Sequence, residues 1–452
     1  MRGRWGALGA WSLYLVLVVV LAPVLVPSAA GRLAIVDPLN GLAMAAFAIS
    51  VVISRRPVRL PFLGPVLVIA LCSVLATFNA ANPGAALFTL IQDAYLYVCF
   101  AMLVNVLSER GDQRGMRVAW LLTACAVSAI GIAQVAMHGS GSPLDVVRPT
   151  GFRAVGTFDQ PDDFADYLVM SVFLVLSLNE EIGRVARWSA IALIGVGIAA
   201  TKANGAVLSL AGGLMAWALV RAWTKRASYT GLVAGALFAL SLGLVAVWLI
   251  VGVGVGSAQI KELESKSFLG RMSHSSEGRA QIWATLWHRY LRNPVGLGPG
   301  NSRWQVLRVE ERERPLVGPT QTFDTGADPF LSKEAHNDYV SYLVERGPIA
   351  LLFMLVFKFQ IFGQITRWWK RRAGDGRFPA RGGALAAAAF GAWVASWINA
   401  NTIETLHFRH VWIFLAMVCA LGSATEAQLG VGPGDRARTI AAPTGARAIA
   451  AA

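Results

Sequence analysis

Charge is what this sequence has least of. Only 15% of its 452 residues are charged, while 55% are hydrophobic. Soluble domains run near 25% charged, so the shortage argues against an ordinary water-soluble domain and makes lipid the expected solvent. Cysteine is as scarce. Cys72, Cys99, Cys125 and Cys419 each fall inside an apolar run, without close spacing. That leaves no disulfide framework and no thiolate metal site, only small buried hydrophobes. The six histidines are scattered, and no H-E-x-x-H, D-x-D, Walker or dinucleotide pattern occurs. No metal or other cofactor is therefore expected, and energy from cytosolic ATP has no entry point. There is no convincing internal repeat, which disfavours transporter folds built from inverted halves.

Long apolar runs are what the chain has in place of charge. A membrane-spanning helix needs roughly 20 apolar residues. Twelve candidate spans are predicted, at 7–30, 33–53, 60–79, 86–107, 117–137, 163–179, 187–201, 205–221, 230–253, 338–362, 382–399 and 406–426. The first follows Arg2 and Arg4 and is read as a retained helix rather than a signal peptide. The fold class is thus an all-α polytopic membrane protein.

The formal net charge of +14 would point to nucleic acid in a soluble protein. Here the basic residues sit in short loops, and no nucleic-acid motif accompanies them. One set of loops carries Arg55, Arg56 and Arg59, then Arg110, Arg114 and Arg117, then Arg184 and Arg187, then Arg221, Lys225 and Arg226, and finally Arg367, Lys370, Arg371 and Arg372. The opposite set carries far fewer. By the positive-inside rule the arginine-rich loops and both termini are cytoplasmic, as an even span count requires. The expected organisation is spans one to five in 1–137, a first external loop in 138–162, and spans six to nine in 163–253. A large external, periplasmic loop in 254–337 lies between spans nine and ten. Spans ten to twelve fill 338–429, and a disordered cytoplasmic tail 430–452 follows. Ionisable residues are read as absent from mid-span.

Loops this long are usually functional, and the external ones collect the unusual residues. Arg153 stands close to the membrane on the disfavoured side, either snorkelling to the interface or offering a fixed cation to an anionic head group. Lys202 separates two apolar runs on the same side, where a lysine should face protein or a watery cavity. The second loop holds Gly278-Arg279, Trp283, an amphipathic helix ending near Arg292, and Asn293-Pro-Val-Gly-Leu-Gly298-Pro-Gly300-Asn301. A turn of that kind can bring backbone amides to a phosphate, though a plain loop fits equally. His336, Asn337 and Tyr339 open the tenth span. A lone histidine is more often structural, but near neutral pH it can move a proton. Glu404, His407, Arg409 and His410 could line the same face or merely cap helices. Several cations, one histidine and a Gly-rich turn on one face suit a lipid-borne phosphate or pyrophosphate.

These residues resemble the O-antigen ligase and O-antigen polymerase superfamily of bacterial inner-membrane glycosyltransferases. The resemblance rests on Arg153-Ala-Val-Gly-Thr-Phe-Asp-Gln-Pro with Ala165 and Tyr167, on Gly278-Arg279 with Trp283, on the Gly-Pro run, and on His336-Asn337-Asp338-Tyr339 followed by Glu345-Arg346-Gly347. It is clearest from about residue 150 to 360. It implies a glycan donor carried on undecaprenyl pyrophosphate and a lipid A-core or glycan acceptor. It also implies transfer at the external face of the membrane, without nucleotide sugars and without a metal. By this carry-over Arg153 and Arg279 bind the pyrophosphate, and His336 activates or positions the acceptor hydroxyl. Asn337, Tyr339, Gly298 and Gly300 are supporting residues. The family often has a Ser-Arg-Gly-type motif after the first arginine loop. The matching stretch here is Thr201-Lys202-Ala-Asn204-Gly205, with Asn204 where the arginine would stand. Lys202 is then the candidate replacement. The label favoured is ligase. A polymerase joining lipid-linked repeats is the alternative, with a lipid-linked sugar flippase or a non-enzymatic membrane scaffold less favoured.

Overall fold

The computed structural model describes residues 2–26, 33–110, 113–137, 153–178, 181–224, 282–302, 335–374 and 379–428. Arg279, the ninth expected span 230–253, most of the 254–337 loop and the tail 430–452 lie outside the described residues.

The described residues are almost entirely helical. In chain order they form α1 (Arg2–Leu21), α2 (Val36–Ser54), α3 (Leu63–Thr77), α4 (Pro83–Arg110), α5 (Arg114–Ala136), α6 (Pro161–Ser177), α7 (Arg184–Thr201) and α8 (Asn204–Thr224). There follow α9 (282–292), α10 (Asp338–Gly374), α11 (Pro379–Asn399), a 3₁₀ turn Thr405–His407 and α12 (Arg409–Gln428). A two-residue antiparallel ladder, Leu25–Val26 with Leu33–Ala34, closes the α1–α2 connection. Eleven of the twelve expected apolar segments coincide with helices.

Among the described residues, six helical stretches are long and apolar enough to cross a membrane: Val36–Ser54, Pro83–Glu109, Arg114–Ala136, Arg184–Thr201, Asn204–Arg221 and Asp338–Trp368. Four more, Gly9–Leu21, Leu63–Thr77, Ala384–Asn399 and Arg409–Leu421, are apolar but shorter. The sixth expected segment behaves differently. Nearly every residue of α6, from Phe164 to Leu176, is buried on all sides. A helix apolar all round belongs inside a bundle, and α6 is the post against which α5, α7, α8 and α11 pack.

The bundle tightens where side chains are smallest. An added Cβ on Gly213 of α8 would lie 2.7 Å from the Gly391 carbonyl oxygen of α11, and one on Gly391 would lie 2.8 Å from the Gly213 oxygen. Two backbones in direct contact let dispersion forces act where the hydrophobic effect between helices is absent.

The tenth segment departs from expectation. Gly347 has φ 84° and ψ 172°, and Pro348 follows, so α10 is two helices meeting at a break. In an unbroken helix Asp338 and Lys358 would stand about 30 Å apart at 1.5 Å per residue. Their side chains instead meet at 3.1 Å. The first limb, 338–346, therefore folds back on the second, and the apolar limb begins at Pro348. The Gly-Pro pair explains this: glycine takes the left-handed backbone, and proline withholds the amide that would continue the helix.

Lys358 also corrects the expectation that ionisable residues are absent from mid-span. It is fully buried within the second limb of α10, where Asp338 and the rings of Tyr339 and Trp397 surround its ammonium group. A paired charge surrounded by aromatic faces is tolerated in a bundle interior where a lone one is not.

Candidate functional site

Helix polarity alternates through the bundle, so the ends of α1, α3, α5, α7 and α11 meet the starts of α2, α4, α6, α8, α10 and α12. The polar residues gather at this end. The loop holding Arg153 is sewn to the C-terminus of α7: Ala154 N donates to Ala200 O at 3.0 Å, and Arg153 Nε donates to Thr201 O at 2.8 Å. Its Nη2 reaches Asp162 Oδ1 at 2.9 Å, with both side chains about one-third exposed. A guanidinium at a helix C-terminus meets carbonyls and the negative end of the dipole, and its remaining N–H groups stay within reach of solvent. Gln134 fixes the same loop, accepting from Val155 N and Gly156 N and donating to Gly156 O.

Lys202 caps α7 in a left-handed conformation, φ 53°, and is exposed. It follows the residue whose carbonyl Arg153 holds, so the two cations predicted from sequence share one helix end. Three residues on, Gly205 packs directly against Thr402 in the α11–α12 connection. Asn401 O of that connection accepts from Asn337 Nδ2 at 3.2 Å, and Ala400 O accepts from Asp338 N at 2.8 Å. A continuous path of contacts therefore links Arg153, the Thr201–Gly205 turn, the 399–402 loop and the His336–Asn337 pair.

His336 is half-buried with φ 48°, a left-handed backbone that costs a non-glycine residue about 1–2 kcal/mol. It is held there because the next residue starts a helix. Asn337 Oδ1 accepts from Tyr339 N at 2.8 Å and Val340 N at 3.0 Å, an asparagine N-cap. Asn337 is thus a cap, and Tyr339, whose hydroxyl donates to Trp397 O at 3.1 Å, ties the first limb of α10 to α11.

The Gly-Pro turn is committed elsewhere. Gly298 N donates to Glu345 O, Gly300 N to Glu345 Oε2 at 2.7 Å and Ser302 N to Glu345 Oε1 at 2.9 Å. Leu297 N is bound to Val344 O, and Asn301 N to Gly298 O. The anion-binding concavity read from the glycines exists, but the protein's own Glu345 carboxylate fills it. The reason lies in backbone geometry: Gly296, Gly298 and Gly300 all have positive φ, which points successive amides inward. Gly298 and Gly300 fix Glu345, the neighbour of Arg346. Arg289 of α9 caps the turn by donating to Ser302 O at 2.6 Å; burial lowers its affinity for its proton while the Glu345 carboxylate raises it.

Four buried or half-buried ion pairs escaped the sequence reading. Arg346 Nη1 meets Asp93 Oδ2 at 2.6 Å. Arg409 clamps Asp37 with two bonds of 2.7 and 2.6 Å, and Tyr95, Asn40 and Tyr14 extend that network inward. His410 Nε2 lies 2.8 Å from Asp166 Oδ2, whose other oxygen accepts from Asn399. Lys358 and Thr405 share Asp338. Asp37, Asp93 and Asp166 each stand within the first three turns of an apolar helix, and that placement was the available signal.

Between these pairs lies a small, partly open cleft lined by Gln92, Phe158, Asp163, His407, Arg409 and His410 among others. The loop carrying Arg153 and the loop carrying Glu404 to His410 form its walls. Its lining does not include Arg153, Lys202 or His336. Among the described residues no group of three or more His, Cys, Asp or Glu side chains could hold a metal ion.

The fold and the site define a helical membrane protein with clustered, compensated charge at one end of its bundle. Residues 189–355 match the family model described as O-antigen ligase. The match covers 167 of the 452 residues; it supports the O-antigen ligase superfamily and a glycosyltransferase-like enzyme of polysaccharide biosynthesis. The matched segment includes Lys202, Gly298, Gly300 and His336. Arg153 and the ion pairs made by Asp37, Asp93 and Asp166 involve residues outside it. No curated protein matches the chain.

Proposed function

We propose that this protein is an O-antigen ligase-type enzyme of the bacterial inner membrane. In this reading it moves a glycan from undecaprenyl pyrophosphate to a lipid A-core acceptor at the external face. It crosses the membrane twelve times, with both termini cytoplasmic and the 254–337 loop external. The observation that supports this most is the contact path from Arg153 through the Thr201–Gly205 turn and the 399–402 loop to Asn337, beside His336, at one end of the bundle. Arg153, Lys202 and Arg279 take the pyrophosphate. Arginine is suited to it because a planar, permanently charged fork matches phosphate oxygens. As the anomeric C–O bond breaks, negative charge grows on the departing pyrophosphate, and fixed cations stabilise it without reorganising. His336 accepts or orients the proton of the attacking hydroxyl. Cations rather than a metal ion offset the leaving-group charge.

The test is reconstitution. Purified protein receives undecaprenyl-pyrophosphate-linked glycan with and without a lipid A-core acceptor, and products are separated by size. Glycan on the acceptor establishes ligation. A ladder of longer lipid-linked glycan without that acceptor makes the protein a polymerase. Unchanged donor in both arms, from correctly inserted protein, rejects the transferase reading.

A further inference from the structure

Helix α9 (282–292) belongs to the segment expected to be an aqueous external loop, yet its faces are distributed as if it met lipid. Ile282, Leu286 and Tyr290 are buried and pack with Leu297, Ala335 and Val344. The outward positions Ala284, Trp287, Leu291 and, one turn past the helix end, Val295 are exposed. Trp287, Leu291 and Val295 are about half exposed, at 46%, 58% and 53%. They recur at the three- to four-residue spacing of one helix face. The same outward side also exposes His288 and Arg292, polar groups suited to headgroup depth, while Arg289 is turned onto the carbonyls of Asn301 and Ser302.

The position of α9 relative to the spans gives the face its partner. The turn after α9 is bonded to the first limb of α10 through Leu297 N to Val344 O and Gly298 N to Glu345 O. An added Cβ on Gly347 would lie 2.8 Å from Val295 O. Pro348 follows, and Ile349 and Leu352 on the apolar limb are exposed. On the other side the turn rests on the end of α3, where Asn79 Nδ2 donates to Gly296 O at 3.3 Å and Leu71, Leu75 and Phe78 are exposed. The apolar face of α9 therefore continues the exposed apolar belts of two apolar helices, α3 and the second limb of α10. Trp287 carries the residue type that settles at headgroup depth, with its ring apolar and its N–H wet.

We infer that α9 is an interfacial helix whose Trp287–Leu291–Val295 face lies in the outer leaflet, so that the segment joining α9 to the spans is anchored on the lipid surface. An amphipathic helix of this kind buries its apolar face roughly 5–10 Å into the headgroup boundary.

The experiment uses full-length protein with its four cysteines replaced by alanine, in phosphatidylethanolamine/phosphatidylglycerol nanodiscs. Nitroxide labels are placed singly through Trp287→Cys, Leu291→Cys and Val295→Cys. Leu352→Cys serves as the lipid reference and Arg56→Cys as the water reference. Collision rates with oxygen and with a water-soluble nickel chelate are then compared. The expected result is an oxygen-to-nickel ratio at all three positions several-fold above that at Arg56→Cys and approaching that at Leu352→Cys. A ratio equal to the Arg56→Cys value would mean that water meets this face. Protection from both colliders would mean that protein covers it, either a second copy or another part of the chain. Each of those results overturns the inference, and the three positions report separately should one variant fold poorly.

Discussion

Arg346 and Arg153 are arginines at the same end of the bundle, held in opposite ways. Arg346 is 2% exposed and fixed between Asp93, Ser73 and the ring of Tyr342. Its backbone is clamped by a turn whose amides hold the adjoining carboxylate. Arg153 is about one-third exposed, with one similarly exposed carboxylate and one helix-end carbonyl as partners. A guanidinium sealed in the interior cannot exchange its partner for a ligand, whereas in the proposed site the rim guanidinium exchanges Asp162 for a phosphate at little cost. Stability and activity should therefore separate along this contrast.

The buried limb of the comparison breaks hardest. Lys358→Met leaves the Asp338 carboxylate uncompensated in the bundle, and a loss of about 3–5 kcal/mol is expected. It would be read as a large drop in melting temperature in detergent. Adding Asp338→Asn should recover most of that loss. Arg346→Leu strands Asp93 in the same way, at a cost somewhat reduced by the partial exposure of that carboxylate. Next comes the turn that fixes Arg346. Glu345→Gln removes the charge that two backbone amides share, and about 1–3 kcal/mol of stability should go with it. Asn337→Ala should cost about 1 kcal/mol as a lost N-cap, with the first limb of α10 fraying faster in hydrogen exchange. Arg153→Ala sits at the other end of the scale. It should shift stability by no more than about 1 kcal/mol, yet lower transfer in the reconstituted assay by about 10²–10³-fold. Arg153→Lys should fall between, because an ammonium group lacks the fork. If Arg153→Ala instead destabilises the protein as much as Lys358→Met, the rim and the interior are not different in kind.

The helices were legible because the signal that defines them is local. An apolar run long enough to matter is visible in the chain itself, and the starts of α2, α4, α5 and α11 fall where charge or proline punctuates the sequence. The break in α10 was also written there, as Gly347-Pro348 between Arg346 and the apolar run beginning at Ile349. Yet the helical pattern on both sides masked it. The ion pairs were not legible. Asp37 and Arg409 are 372 positions apart, and Asp166 and His410 are 244. Nothing in either neighbourhood names the partner. The Gly-Pro turn taught the reverse lesson: its glycines correctly announced inward-pointing amides, but not that Glu345 fills the space they define.

By itself, then, the sequence determined that the chain is a helical membrane protein. The number of apolar residues a helix needs, and the cost of leaving charge in lipid, are properties of composition and run length. The tertiary structure decided which charges are available. Burial and pairing arise only when distant helices meet, and those two quantities separate Arg153, about one-third exposed at the rim, from Arg346 and Lys358, which are buried and paired inside the bundle.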